Sequence, residues 1–175
     1  MTRDQLGKAI YDISHLTGSF KLRSGQVSNE YFDKYRFESQ PQLLKAIAQQ
    51  MTSLLPSNID ALAGLEMGGI PVATALSFET GLPVLFVRKK AKDYGTCQFA
   101  EGFEPKGKRF CIVEDVITTG GQVLLSTQDL RNAGAFVDHV VCVIHRGQSP
   151  DTKLQELGLQ MKSLFTMAEL NSFRV

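Results

Sequence analysis

R-F-C-I-V-E-D-V-I-T-T-G-G-Q-V-L-L, residues 109–125, joins an apolar run to a turn dense in acids, hydroxyls and glycines. An apolar strand ending at Val113 is followed at once by two carboxylates, Glu114 and Asp115, then by Thr118, Thr119, Gly120, Gly121 and an apolar helix. Such a turn can lay backbone N–H groups around an anion at the helix N-terminus, where the dipole adds about 0.3–1 kcal/mol. The threonines supply hydroxyl donors, and the glycines let backbone come close to a phosphate. The spacing is neither that of a Walker A loop nor that of a dinucleotide fingerprint. Acids beside a phosphate cradle make sense if the ligand also presents hydroxyls or a ring that becomes positive, and a ribose 5-phosphate does both. The same residues also suit an acidic N-cap cluster that serves only the helix, through Asp115 or a threonine. The residues alone leave both readings open.

Outward from this stretch the chain alternates. I-D-A-L-A-G, V-L-F-V, R-F-C-I-V and V-D-H-V-V-C-V-I are short runs rich in Val, Ile and Phe, separated by helical stretches near 70–80 and 121–132, the second closing on Gly134. Near-continuous apolar strands between helices imply an α/β fold with a mainly parallel sheet covered on both faces. Ligands of such sheets sit at the carboxyl ends of the strands, here after Gly64, Val87, Val113 and His145.

Nearer the N-terminus, Leu6, Ala9, Ile10, Ile13 and Leu16 have helical spacing behind a capping box of Thr2 and Gln5. Leu43, Leu44, Ile47, Ala48, Met51, Leu54 and Leu55 predict a second helix, with Ser39 as N-cap, Pro41 in the first turn and Pro56 as terminator. Between them, F-K-L-R-S-G-Q-V-S-N-E-Y-F-D reads as two strands joined by a turn at Gly25. Residues 151–175 offer a short helix, a strand around Leu159 to Phe165 and a final turn.

At 175 residues the chain reads as one domain, 1–175. Cys97, Cys111 and Cys142 are odd in number and widely spaced. That argues against disulfides or a zinc site and suits a reducing compartment, so the expected location is the cytoplasm. The N-terminus lacks the apolar stretch of a signal peptide, and no run has the length of a membrane helix. Charge is uneven: residues 88–109 hold seven basic side chains against three acidic ones, while the whole chain carries only +1. Arg88, Lys89, Lys90 and Lys92 open that stretch. A local cationic patch of this kind suits a small anion more than a nucleic acid, which calls for a broadly basic face.

V-E-D-V-I-T-T-G-G resembles the phosphoribosyl diphosphate (PRPP) motif of type I phosphoribosyltransferases. The likeness to orotate phosphoribosyltransferases is closer still. It extends to L-R-S-G-Q-V-S-N-E-Y-F-D, G-L-E-M-G-G-I-P-V-A, R-K-K-A-K-D-Y-G and the arginine of V-I-H-R-G. The resemblance implies the type I fold with a small hood formed by about residues 18–36. It also implies transfer of phosphoribosyl from PRPP to N1 of orotate, giving orotidine 5′-monophosphate and pyrophosphate in pyrimidine (UMP) biosynthesis. Magnesium is the implied cofactor, carried by PRPP and water-bridged to Glu114 and Asp115, with no side chain as a direct ligand. A homodimer sharing the 88–102 loop across subunits is implied, with no membrane or nucleic-acid partner.

By the same resemblance, PRPP contacts fall on Arg88, Lys89, Lys92 and Tyr94, and on Glu114, Asp115, Val116, Ile117, Thr118, Thr119, Gly120, Gly121 and Gln122. Catalysis falls on Lys92, Glu114 and Asp115, with Lys92 on a mobile loop that excludes water from a reactive sugar cation. Orotate contacts fall on Thr118, Arg146, Arg23, Tyr31 and Phe32. Arg146, placed at a strand's carboxyl end, can take the orotate carboxylate bidentately. Three positions depart from the family pattern: Tyr94 stands where histidine is common, Arg23 where lysine is, and Glu66-Met67-Gly68-Gly69 lacks the lysine some relatives carry. A transferase for another base and a non-catalytic PRPP-binding regulator are the alternatives. Arg146 speaks against a purine, which has no carboxylate to bind.

Overall fold

The computed structural model describes residues 1–22, 24–90, 99–147 and 152–174. Helix α1 (Arg3–Ser14) starts at the expected capping box, in which the Gln5 N–H donates to the Thr2 hydroxyl and the Thr2 N–H to the Gln5 side chain. It is shorter than its apolar spacing predicts. Leu16 belongs instead to strand β1 (His15–Lys21), which pairs antiparallel with β2 (Val27–Phe32). The expected hairpin is therefore present, and Gly25 turns it. Tyr11 stacks on His15 across the helix–strand junction, with ring centroids 4.8 Å apart.

A short helix, α2 (Tyr35–Glu38), precedes α3 (Pro41–Met51). Ser39 is not the N-cap of α3: it closes α2, and its hydroxyl donates to the Arg36 carbonyl. Gln40 takes the cap position without a side-chain bond, and Pro41, whose fixed φ suits the first turn, opens the helix. Leu54 and Leu55 also fall outside α3, which gives way to a single 3₁₀ turn at Thr52–Leu54.

From there the chain winds β3 (Ala61–Leu65), α4 (Gly69–Thr80), β4 (Val84–Val87), β5 (Ala100–Glu101), β6 (Arg109–Ile117), α5 (Gly121–Asn132), β7 (Phe136–His145), α6 (Thr152–Glu156), β8 (Gln160–Thr166) and α7 (Met167–Asn171). The six-stranded sheet has the order β5-β4-β3-β6-β7-β8 and is parallel except for the edge strand β5. One apolar layer holds Ile10, Ile47, Val72, Leu76 and Phe165, and the other holds Leu85, Ile112, Val123, Leu130 and Leu154. Both faces of the sheet are covered, so the strands are apolar throughout, and all five residues of β3 are buried. Cys111 and Cys142 are core residues, as expected.

Two expectations about strands need correction. β6 does not stop at Val113. Its pairing with β7 continues through Glu114–Cys142 and Val116–Ile144 to Ile117–His145, so both acids belong to the strand. The long lysine-rich connection is also interrupted, because Ala100 and Glu101 pair with Val87 and Phe86. Among the described residues, no helix is long and apolar enough to cross a membrane.

Candidate active site

β4 lies on one side of β3 and β6 on the other, so the strand order reverses between β3 and β6. At such a switch point the carboxyl ends of the strands open a crevice. Two segments meet there: the turn Glu66–Gly69 after β3, and the acidic end of β6. They meet closely. A Cβ added to Gly68 would collide with the Asp115 carboxylate, and one on Gly69 with the Val113 carbonyl. The Glu66–Met67 peptide in this turn is cis. The Glu66 carboxylate accepts the Lys89 N–H at 3.0 Å, which ties the turn to the end of β4. Between them lies a recess of about 250 Å³ lined in part by Glu66, Met67, Arg88 and Glu101. The Arg88 guanidinium stands 3.5 Å from Glu101. Lys89 and Lys90 are exposed beside it.

Asp115 is fully buried, and a carboxylate there needs partners. The Lys34 ammonium is 2.5 Å from Oδ2, and the Val116 N–H donates to Oδ1 at 2.6 Å. Two more carboxyls share the site, each hydrogen-bonded to Asp115: Glu114 and the buried Glu38. Burial, and then the nearby Asp115 charge, push Glu114 up to about 9. Burial and then the hydrogen bond to Asp115 do the same to Glu38. Burial also opposes charge on Asp115, but the hydrogen bonds from Glu38 and Lys34 outweigh it and hold its pKa below the ordinary value. At neutral pH the cluster therefore carries its charge on Asp115, while the two glutamates keep their protons.

This has a consequence for stability. Glu38 binds its proton more tightly folded than unfolded, so its contribution is full below the ordinary value of 4.5 and is lost as pH rises towards about 9. A glutamine can donate to Asp115 as the protonated acid does, without that loss. Glu38→Gln should leave Tm unchanged at pH 4 and raise it increasingly from pH 5 to 9, by about 2–4 °C per kcal/mol gained. Thermal melts across that range check it, and a pH-independent difference would refute the protonated state.

The turn after β6 leaves the N-terminus of α5 without a side-chain cap. Thr118 and Thr119 are exposed, Gly120 adopts φ 67°, a left-handed conformation that favours glycine, and α5 begins at Gly121. No side chain caps α5, so neither Asp115 nor a threonine performs the capping role that the sequence left open. The first N–H groups of α5 face the turn, and the Gln122 side chain is turned aside onto Ser126 at 3.1 Å. Val116 and Ile117 serve through backbone, since they pair with Ile144 and His145. That pairing puts Thr118 and Arg146 at adjacent strand ends, and the Arg146 N–H donates to the Ile117 carbonyl at 2.8 Å. Arg146 is exposed and available to a ligand.

On the hairpin, Tyr31 is 45% exposed and stacks on Phe20 with centroids 5.6 Å apart. Phe32 packs its ring into the core, which leaves its backbone as the part able to meet a ligand. Arg23, Lys92, Tyr94 and Cys97 lie outside the described residues. Sequence reasoning missed Lys34 and Glu38. The one available signal was two charged residues flanking the buried Phe37 directly after the hairpin.

The family model described as "Phosphoribosyl transferase domain" matches residues 36–157. An orotate phosphoribosyltransferase of Nocardioides sp. is 52% identical over 175 residues, covering 99% of this chain and 98% of the relative. Among solved structures, the Mycobacterium tuberculosis orotate phosphoribosyltransferase in complex with Fe(III) dicitrate superposes with a TM-score of 0.86 at 29% identity, covering 96% of this chain and 98% of that one. The same enzyme in complex with PRPP gives a TM-score of 0.82 at 27% identity, covering 97% and 98%. With a switch-point crevice, an anion cradle and an arginine at the adjoining strand end, and with relatives matched along nearly their whole length, the chain belongs to the orotate phosphoribosyltransferase family.

Proposed function

We propose that this protein transfers phosphoribosyl from PRPP to N1 of orotate, releasing pyrophosphate and forming orotidine 5′-monophosphate for pyrimidine synthesis. The observation that carries this is the Ile117–His145 pairing, which sets a phosphate cradle at Thr118–Gly121 beside the exposed Arg146. A sugar phosphate and an acid-bearing base need those two features side by side. The cradle takes the 5-phosphate through the N–H groups of α5 and the threonine hydroxyls. Arg146 holds the orotate carboxylate, and the hairpin residues Arg23, Tyr31 and Phe32 close over the ring. Charge develops in two places during transfer: positive on the ribose and negative on the departing pyrophosphate. Asp115, which carries the charge of the acidic cluster, serves the first, and the protonated Glu114 beside it can hydrogen-bond a ribose hydroxyl. Arg88, Lys89 and Lys92 serve the second, with Tyr94 adding a hydroxyl donor.

Magnesium fits this site as a companion of PRPP. Asp115 Oδ2 is already held by Lys34 at 2.5 Å, so Glu114 and Asp115 would reach the ion through water. When bound, the ion neutralises charge on the pyrophosphate. We also propose a cytoplasmic homodimer. Phe78 (85% exposed) lines an apolar groove between α3 and α4, together with Leu44, Ile70 and Pro71 among others. Ile70 also lines the recess at the site, so a second copy seated on this groove would lie next to the crevice, where the proposal has it lend its 88–102 loop.

One assay tests the activity. With PRPP and magnesium present, orotate should be consumed with release of pyrophosphate, while uracil, adenine and hypoxanthine should not. Turnover of another base in place of orotate would overturn the proposal. PRPP binding without any turnover would favour a regulator.

A further inference from the structure

Lys34 and Glu38 lie outside the PRPP motif, yet they determine where one of its acids points. Lys34 comes just after β2, two residues beyond Phe32, and Glu38 ends α2. Both reach the same buried carboxylate, Asp115. That carboxylate is confined on every described side: Oδ1 by the Val116 N–H, Oδ2 by the Lys34 ammonium, and the remaining space by Gly68, where even a methyl group would collide with it. Glu38 lies against the same point, since its Oε1 would be 3.0 Å from that methyl carbon. A lysine whose side chain is one-third exposed is an unusual partner for a fully buried acid unless its placement matters, because packing alone is better served by apolar groups.

We propose that Lys34 and Glu38 are positioning residues of the transfer reaction, clamping Asp115 from the hairpin side so that the base-binding hood and the ribose-binding strand are set by one shared contact. Neither needs to touch substrate. Lys34 supplies the counter-charge, Glu38 supplies a hydrogen-bond donor, and the carboxylate keeps one orientation beneath the ribose. Closure of the hairpin over a base then acts on Asp115 through Asp33, the single residue that separates Phe32 from Lys34.

The inference rests on the reading of this site as a phosphoribosyl transfer centre, so parent protein that turns over orotate is the first requirement; failure there defeats that reading and not the clamp. Given an active parent, kcat and KM for PRPP and orotate are measured for Lys34→Met, Lys34→Arg, Glu38→Gln and Asp115→Asn, and for the double variant Lys34→Met/Asp115→Asn. Melting curves show which variants fold. Misplacing a reacting group by about 1 Å costs on the order of 10²-fold. Lys34→Met should therefore lose roughly that factor in kcat with little change in either KM, and Lys34→Arg should recover most of it. Glu38→Gln should retain activity. In the Asp115→Asn background, Lys34→Met should cost nothing more, because residues that act as a unit are not additive. Independent, multiplying losses would overturn the proposal. So would a rise in PRPP KM with kcat unchanged, which would make Lys34 a substrate contact, or full activity of Lys34→Met. If Lys34→Met does not fold, Lys34→Gln, alone and combined with Asp115→Asn, completes the same comparison.

Discussion

Lys92→Ala is expected to lower kcat by roughly 10²–10³-fold, the usual loss when one donor to a developing anion is removed. The pyrophosphate leaves with more negative charge than it holds in bound PRPP. A cation that meets it only in the transition state affects kcat more than ground-state binding. On the proposed mechanism Arg88 and Lys89, at the end of β4, would hold PRPP in both states, so KM for PRPP should rise only modestly and orotate binding hardly at all. Steady-state and single-turnover kinetics separate these quantities, and equal activity of variant and parent would remove Lys92 from catalysis. The shared-loop dimer has its own arm in the same experiment. Heterodimers of Lys92→Ala and Asp115→Asn subunits should regain one competent site if the loop serves the neighbouring subunit. Verified heterodimers without recovered activity would refute that sharing.

Arg146→Ala should raise KM for orotate by roughly 10²-fold or more, which is the scale of losing one partner of a hydrogen-bonded charge pair. Its backbone bond to Ile117 does not depend on the side chain, so the cradle and the PRPP KM should stay near the parent values. Arg146→Lys keeps the charge but not the fork, and should recover only part of the loss. Initial rates over a matrix of both substrates give the two KM values directly. A variant that changes PRPP KM and leaves orotate unaffected would reassign the arginine.

Most of the sheet was legible because its strands are buried on both faces and appear as unbroken apolar runs. The motif of β6 was legible for a different reason: two acids, two hydroxyls and two glycines in a row have few physical uses. What escaped depended on contacts between distant segments. Glu114 and Asp115 looked like loop residues because acids rarely continue a central strand, yet β7 is long enough to hold β6 in register to Ile117. Lys34 and Glu38 belong to no motif or period in the sequence, and only the approach of their segment to Asp115 reveals them. Ser39 is a good cap residue placed one residue too early, and it is drawn into the end of α2 instead. β5 is two residues long, too short to leave a period of its own.

That smallest strand has a consequence for how the enzyme can change. The Arg88 N–H donates to the Phe99 carbonyl at 2.8 Å, and Val87–Ala100 and Phe86–Glu101 pair directly behind it. The sheet thus closes its own edge at the base of the lysine-rich stretch. Doubling a connection of that kind costs only about 0.6 kcal/mol. A change in its length is therefore expected to cost the folded body little, because the edge pairing of Val87 with Ala100 and Phe86 with Glu101 fixes where the connection must leave and return.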